Sequence, residues 1–342
     1  MRICFESDTC LYRMVIAGLL LQQVLMSETY SATKRGEYSA VVHSNKQIGE
    51  RFYRLGLKFS DDGAKAFGKA RAGQFVQLDL SDTPLPPVEK IPDDLTDVAG
   101  RKILLRRPFS FANVTTKDNK TTVDILYCVV GPATLRMTTL SAKKSVSVLG
   151  PLGNGFWVPD GKKTALLVSG GMGAGPLQHL AKILTADFPD IDVIALAGAK
   201  SAEALPFERQ LDEISQQLGF SLPDFAKYGV ESLVATDDGS AGFAGPVTDC
   251  LSEWLGRHKS AGKDMVIYSC GPEAMLARVV EIAKQKNIDC QVSMERRMAC
   301  GISLCQSCAV KCKTAGSNET FYKLCCQDGP VFDGLEVAWG IG

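Results

Sequence analysis

The stretch "TALLVSGGMGAGPLQHLAKILTADF", Thr164 to Phe188, decides the fold. It opens on an unbroken apolar run, Ala165 to Val168, as in a strand buried on both faces. Four glycines follow in close succession. Leu177, Leu180, Ala181 and Leu184 then recur at helical spacing. Strand, glycine turn and helix make the first half of a βαβ unit. The turn "SGGMGAGP" lets backbone approach a phosphate closely, and the helix start offers free N–H groups and the positive end of a dipole. Its spacing is not the G-x-G-x-x-G fingerprint, so a plain tight turn is the competing reading.

Working outward, the same alternation continues from about Lys162 to Cys290. The strands "DVIALAGA", "ESLVAT", "DMVIYSCG" and "DCQVSME" are separated by the helical patterns "PFERQLDEISQQLG" (206–219), "PVTDCLSEWLGRH" and "PEAMLARVVEIAKQK". Continuous apolar strands between amphipathic helices predict a parallel sheet covered on both faces. Pro176, Pro246 and Pro272 fall near helix starts, where a missing N–H costs little. "YSCGPEAM", Tyr268 to Met275, is a second strand-to-helix crossover at the edge where ligands of such sheets bind.

Upstream, from about Tyr38 to Gly155, six short runs rich in β-branched and aromatic residues predict a small antiparallel barrel. They are "YSAVVHS", "FYRLGLKF", "GQFVQLDL", "RPFSFANV", "TVDILYCVV" and "KSVSVLGPLG". "SDTPLPPVEKIPDD", Ser81 to Asp94, carries four prolines and predicts an extended surface loop. On the barrel, "RRPFS" offers an arginine able to fork onto a diphosphate. With an aromatic and a hydroxyl beside it, Arg107, Phe109 and Ser110 suit a flavin nucleotide; an ordinary edge strand is the competing reading.

Downstream of Arg296 little regular pattern remains, and cysteines crowd. "ERRMACGISLCQSCAVKC", Glu295 to Cys312, holds four of the chain's twelve cysteines. A disulfide scaffold belongs to short secreted chains, so a metal site in a reducing compartment is expected. Cys300, Cys305 and Cys308 are spaced C-x4-C-x2-C, as in plant-type [2Fe–2S] proteins. Cys312, Cys325 and Cys326 are all available as the fourth ligand. No histidine follows His258, which removes a Cys/His zinc site from the tail but leaves a four-cysteine zinc site open.

Acidic and basic residues balance at 38 each, so net charge gives no footprint for nucleic acid or an anionic membrane. "MVIAGLLLQQVLM", Met14 to Met26, is too short to span a bilayer, and Glu6 and Asp8 spoil it as a signal peptide. "MSETYSATKRGEY" from Met26 has the polar character of a cytosolic amino terminus. Residues 1–25 are therefore expected to be an over-extended start assignment, and the location to be cytoplasmic.

In combination, "RPFS", "GGMGAGP", "CGPEAM" and the cysteine cluster resemble the ferredoxin–NADP reductase superfamily. "MACGI" and "CQDGPVF" make the tail similar to that of the electron-transfer subunits of class 1B dihydroorotate dehydrogenases. The likeness runs from about Tyr38 to the end. It implies an FAD-binding barrel over 36–158, an NAD-binding α/β domain over 159–293 and a [2Fe–2S] segment over 294–342, with 1–35 outside.

It further implies roles. Arg107, with Pro108, holds the FAD diphosphate, Phe109 packs on the isoalloxazine, and Ser110 hydrogen-bonds flavin N5. Gly131 and Thr134 wrap the FAD phosphate, with Ala133 where the family has a second glycine. Gly170, Gly171 and Gly173 form the NAD diphosphate loop. Cys270, Gly271 and Pro272 lie beside the nicotinamide, which makes Ser110 and Cys270 the catalytic pair. Cys300, Cys305, Cys308 and Cys326 ligate the cluster, and Cys312 has no counterpart. The implied partner is an FMN-containing catalytic subunit in a heterotetramer, with electrons leaving through FAD to NAD. Lys200 and Ser201 follow the second α/β strand, with neither an arginine nor an acid beside them. Two rivals stand: an NAD(P)H reductase of the same superfamily serving a ferredoxin, sulfide or glutamate synthase system, and a zinc-stabilised binding module on a degenerate nucleotide fold.

Overall fold

The computed structural model describes residues 35–207, 222–258, 262–314 and 319–340. The readings of the first 25 residues and of a helix over 206–219 lie outside these, apart from Pro206 and Phe207. No helix among the described residues is long and apolar enough to cross a membrane.

Seven strands form the first sheet: β1 Gly36–Gln47, β2 Phe52–Phe59, β3 Phe75–Leu78, β4 Arg107–Ser110, β5 Asn113–Lys117, β6 Lys120–Cys128 and β7 Ser145–Leu152. Their order is β4-β3-β7-β1-β2-β6-β5, with every pair antiparallel. The single run "RPFSFANV" supplies both edge strands. Phe111 N donates to Gln74 O at one edge (3.5 Å), and Ala112 N donates to Asp124 O at the other (2.7 Å). Consecutive residues therefore join the two edges, and the sheet curls into the expected barrel. Val42, Leu55, Leu57, Val76, Leu78, Ile125 and Val148 fill it. Helix α1, Asp61–Phe67, packs against it, with Phe67 stacked on Phe59 at 3.9 Å between ring centres. A short helix, α2, spans Pro132–Met137.

The second sheet takes β8 Thr164–Gly170, β9 Asp192–Ala199, β10 Glu231–Thr236, β11 Phe243–Ala244, β12 Met265–Cys270 and β13 Asp289–Ser293, all parallel, in the order β11-β10-β9-β8-β12-β13. Helix α3, Ala174–Asp187, covers one face through Leu177, Leu180, Ala181 and Leu184. Helices α4, Val247–Arg257, and α5, Glu273–Lys286, cover the other through Leu251, Leu276, Val279 and Ala283. Strand order reverses between β8 and β12, so a crevice opens beyond their carboxyl ends.

The tail is more regular than its sequence suggests. It forms a hairpin, β14 Ala309–Lys313 with β15 Thr320–Leu324. It then adds β16, Val331–Asp333, antiparallel to the edge of β13. Val310, Cys312, Cys325 and Phe332 share a core with Phe75 and Leu152 of the barrel.

Candidate functional site

A cleft of about 1070 Å³ lies between the barrel and the parallel sheet. All twelve residues expected to bind nucleotide line it: Arg107, Pro108, Phe109, Ser110, Gly131, Thr134, Gly170, Gly171, Gly173, Cys270, Gly271 and Pro272. Local pairing explains the barrel side. Strand β4 lies in register with β3, Phe109 opposite Val76 and Ser110 opposite Phe75. The two arginines of "RRPFS" separate. Arg106 is held by Glu37 (2.7 Å) and by the Ser147 hydroxyl (3.1 Å). Arg107 donates to the carbonyl of Leu105 (2.7 Å) and makes no ion pair among the described residues, so its charge faces the cleft.

Gly131 begins α2, with open space where a side chain would project. The Thr134 hydroxyl accepts from the N–H groups of Val130 (3.0 Å) and Gly131 (3.2 Å), fixing that turn. Ala133 is buried against the barrel core. The glycines of the parallel sheet do different things. Gly171 has φ +52 and nothing within 4 Å of the place a Cβ would take, an open cradle. A Cβ on Gly170 would meet Met275 Sδ at 2.6 Å, and one on Gly173 would collide with the Cys270 carbonyl. The two crossover turns thus pack backbone to backbone. Cys270 ends β12 on this floor, and burial pushes its thiol up to about 12, against a smaller downward pull from the Ser293 hydroxyl.

Between β13 and the cysteine loop, Glu295, Arg296, Arg297 and Met298 line the same cleft. Arg296 forks onto Glu273 at 2.9 and 3.1 Å. These residues escaped the motif reading; their one signal was position, just past the carboxyl end of a parallel strand.

In the tail, left-handed Gly301 (φ +69), Ser303 (φ +71) and Gln306 (φ +56) turn the chain so that backbone N–H groups meet sulfur. Ile302 N and Cys305 N donate to Cys300 Sγ (3.5 and 3.3 Å), Ser303 N to Cys326 Sγ (3.2 Å), and Cys326 N to Cys308 Sγ (3.4 Å). The Ser307 hydroxyl, with backbone N–H groups, draws the Cys305 thiol down to about 6, toward the thiolate a metal requires. Cys325 turns away, donating to Met294 O (3.2 Å), and Cys312 sits buried on β14 near Val310 O. Amide donors on Cys300, Cys308 and Cys326, with the Ser307 hydroxyl at Cys305 (3.1 Å), suit the sulfurs of an iron–sulfur cluster, whose potential depends on such hydrogen bonds, although among the described residues no three of these thiols close on a single-ion site.

A curled antiparallel barrel, a parallel sheet with its switch-point cleft and a shared nucleotide-sized groove define the ferredoxin–NADP reductase type of fold. Solved structures agree on the fold. An NADH-dependent reduced ferredoxin–NADP oxidoreductase matches with TM-score 0.65 and 24% identity, over 88% of this chain and 90% of its own. A ferredoxin–NADP+ reductase from Neisseria gonorrhoeae matches with TM-score 0.51 and 14% identity, over 79% and 96%. Residues 295–338 match the family model described as the iron–sulfur cluster binding domain of dihydroorotate dehydrogenase B, against the zinc reading. The electron transfer subunit of dihydroorotate dehydrogenase B (NAD(+)) from Bacillus velezensis is 36% identical over 299 residues, 87% of this chain and 97% of the relative. That of Bacillus caldolyticus is 35% identical over 305 residues, 88% and 98%. The chain belongs to the family of dihydroorotate dehydrogenase B electron transfer subunits.

Proposed function

We propose that this chain passes electrons from an FMN-containing dihydroorotate dehydrogenase subunit, through a [2Fe–2S] cluster and FAD, to NAD+ in pyrimidine biosynthesis. The observation that carries this reading is the meeting of three elements at one cleft: "RPFS", both glycine turns, and the segment leading directly into the cysteine loop. A flavin bound there supplies the exchange between two-electron nicotinamide chemistry and one-electron cluster chemistry.

The protein's own groups do the rest. Arg107 and the turn at Gly131 and Thr134 hold the FAD diphosphate, Phe109 packs on the flavin ring with Pro108 beside it, and Ser110 donates at N5. Gly171 leaves backbone open to the dinucleotide phosphates, while Gly170 and Gly173 let the Cys270–Gly271–Pro272 turn close in against the nicotinamide. Cys270 stays a neutral thiol at physiological pH, so it neither charges the cleft nor competes for the hydride. Cys300, Cys305, Cys308 and Cys326 hold the cluster; the burial of Cys325 against Met294 O and of Cys312 on β14 supports that set. The domain limits 36–158, 159–293 and 294–342 follow the same division of labour.

NAD is favoured over NADP by a carboxylate absent from the strand itself. Asp238, at the end of β10, donates its N–H to Lys200 O (3.2 Å), beside the end of β9. The Ser240 hydroxyl and amide hold its carboxyl below the usual range, and a charged acid beside the end of β9 disfavours a 2′-phosphate there. Exposed Ile302 and Leu304 on the cysteine loop, with Tyr322 on β15, offer an apolar face for the catalytic subunit in a cytoplasmic heterotetramer.

An anaerobic absorption and EPR spectrum before and after NADH tests the reading. Flavin bands with a reduced-cluster signal after NADH are expected, and Cys305→Ser should lose iron and sulfide while keeping FAD. A colourless protein indifferent to NADH overturns the proposal. Co-purification with a ferredoxin- or glutamate synthase-type partner in place of an FMN subunit would move it to the sister reductases.

A further inference from the structure

Strand β3 alternates as a barrel strand should. Val76 and Leu78 point into the barrel core. Phe75 and Gln77 therefore point outward, yet neither meets solvent, because the cysteine tail covers that face. Phe75 packs in one core with Cys308, Cys325 and Cys326. Gln77 is 1% exposed. Neither its amide nitrogen nor its carbonyl oxygen has a hydrogen-bond partner among the described residues. A buried carboxamide with both ends unpaired is an unusual choice where leucine would fill the same space. Its surroundings say what it waits for. A Cβ at Gly301 would collide with Gln77 Nε2 and would lie 2.6 Å from Cδ, so the carboxamide lies directly against the cysteine loop. Gly301 follows Cys300, inside the turn whose N–H groups converge on Cys300 and Cys326. On its other side, Gln77 pairs in register with Pro108, the centre of the flavin strand. One residue thus spans from the flavin strip to the cluster loop.

We propose that Gln77 donates its carboxamide N–H to a sulfur of the bound [2Fe–2S] cluster or of its cysteine ligands, raising the cluster's reduction potential relative to the flavin. This rests on the cluster and FAD assignment above. Sulfur carrying the negative charge of a thiolate or sulfide is the acceptor the buried amide lacks, and hydrogen bonds to sulfur set cluster potentials. The same contact fixes the register of the loop against β3.

The test compares wild type and Gln77→Leu as purified flavoproteins, with iron, sulfide and FAD counted first. EPR-monitored redox titration then reads both centres. The expected result is a full cluster in Gln77→Leu, an altered EPR line shape, and a reduced-to-oxidised ratio at fixed potential lowered about tenfold, or 59 mV for a one-electron couple. The flavin potential should stay in place. Equal cluster potentials and line shapes overturn the proposal and leave Gln77 as filler. If Gln77→Leu fails to load or fold, pulsed EPR of reduced wild type carrying glutamine labelled with 15N in the side chain decides. A 15N hyperfine coupling to the cluster that persists in a Gln306→Glu/Gln327→Glu background supports the contact, and its absence overturns it. A wild type without any cluster would instead sink the functional reading on which the proposal rests.

Discussion

Gly171 and Gly173 stand two residues apart in one turn and answer to different demands. Gly173 has ordinary right-handed backbone, but the Cys270 carbonyl occupies the place of its side chain. Gly173→Ala must push two crossover turns apart, at a cost of about 3 kcal/mol by overpacking. Gly171 has left-handed backbone and open space. Gly171→Ala should cost only about 1–2 kcal/mol in strain, but it plants a methyl group in the open cradle proposed for the dinucleotide. Urea unfolding and NADH titration together separate them. Gly173→Ala should lower the unfolding midpoint, whereas Gly171→Ala should mainly raise the KM for NADH, about tenfold for about 1.4 kcal/mol of lost binding. If both variants behave alike, the division is wrong. In sequence the three glycines looked equivalent, because spacing reports a turn and not which neighbour approaches it.

Helix α3 carries a titratable group in an apolar setting. His179 is buried, and burial, aided by Lys182, pushes it down to about 3. Unfolded histidine takes a proton near pH 6.5, while the folded side chain stays neutral well below that. Its contribution is therefore present above pH 6.5 and is lost as pH falls toward 3. Wild type should lose about 2 kcal/mol more than His179→Gln between pH 6.5 and 5, at about 1.4 kcal/mol per pH unit. Urea midpoints at the two pH values check this; parallel losses would refute it.

At this scale much was legible in the chain. Long apolar strands and amphipathic helices report themselves through their period, and β8, β9, β10, β12 and β13 stand where the pattern put them. Other elements did not report themselves. The run "RPFSFANV" reads as one strand but bends at Phe111 and Ala112 to serve both barrel edges, since pairing partners are set by closure and not by composition. Strands β14 and β16 were hidden because "AVKCK" is short and its cysteine suggested a ligand, while "VFD" pairs only with a distant edge.

For the molecule as a whole, the barrel and the parallel sheet are clasped by a nearly buried ion pair. Arg54 on β2 meets Asp224 at 2.7 Å, with side chains 15% and 9% exposed, and also reaches Gln178. Lys182 reinforces the seam, donating to Asn113 Oδ1 at 3.0 Å and to Val114 O. Arg54→Ala leaves Asp224 with Lys227 alone (3.1 Å) in a poorly solvated place and should cost about 1.5–3 kcal/mol. Arg54→Met/Asp224→Leu should recover most of that loss. Calorimetry should show the single variant melting in two steps, barrel and sheet apart. A single step with an unchanged midpoint would show that the pair contributes nothing to the seam.

The antiparallel pairing of β16 with β13 sets Val331 directly beside Ser293. The chain therefore leaves the sheet, builds the entire cysteine-bearing lobe, and returns to the spot it left. Such an insertion has neighbouring ends, like a gem in a ring mount. Bridging Ser293 to Val331 with a tight turn would leave a plain hairpin and an intact nucleotide fold, though Phe75 and Leu152 would need a new cover. Lineages could thus gain or shed this lobe in one event without reinventing the reductase beneath it.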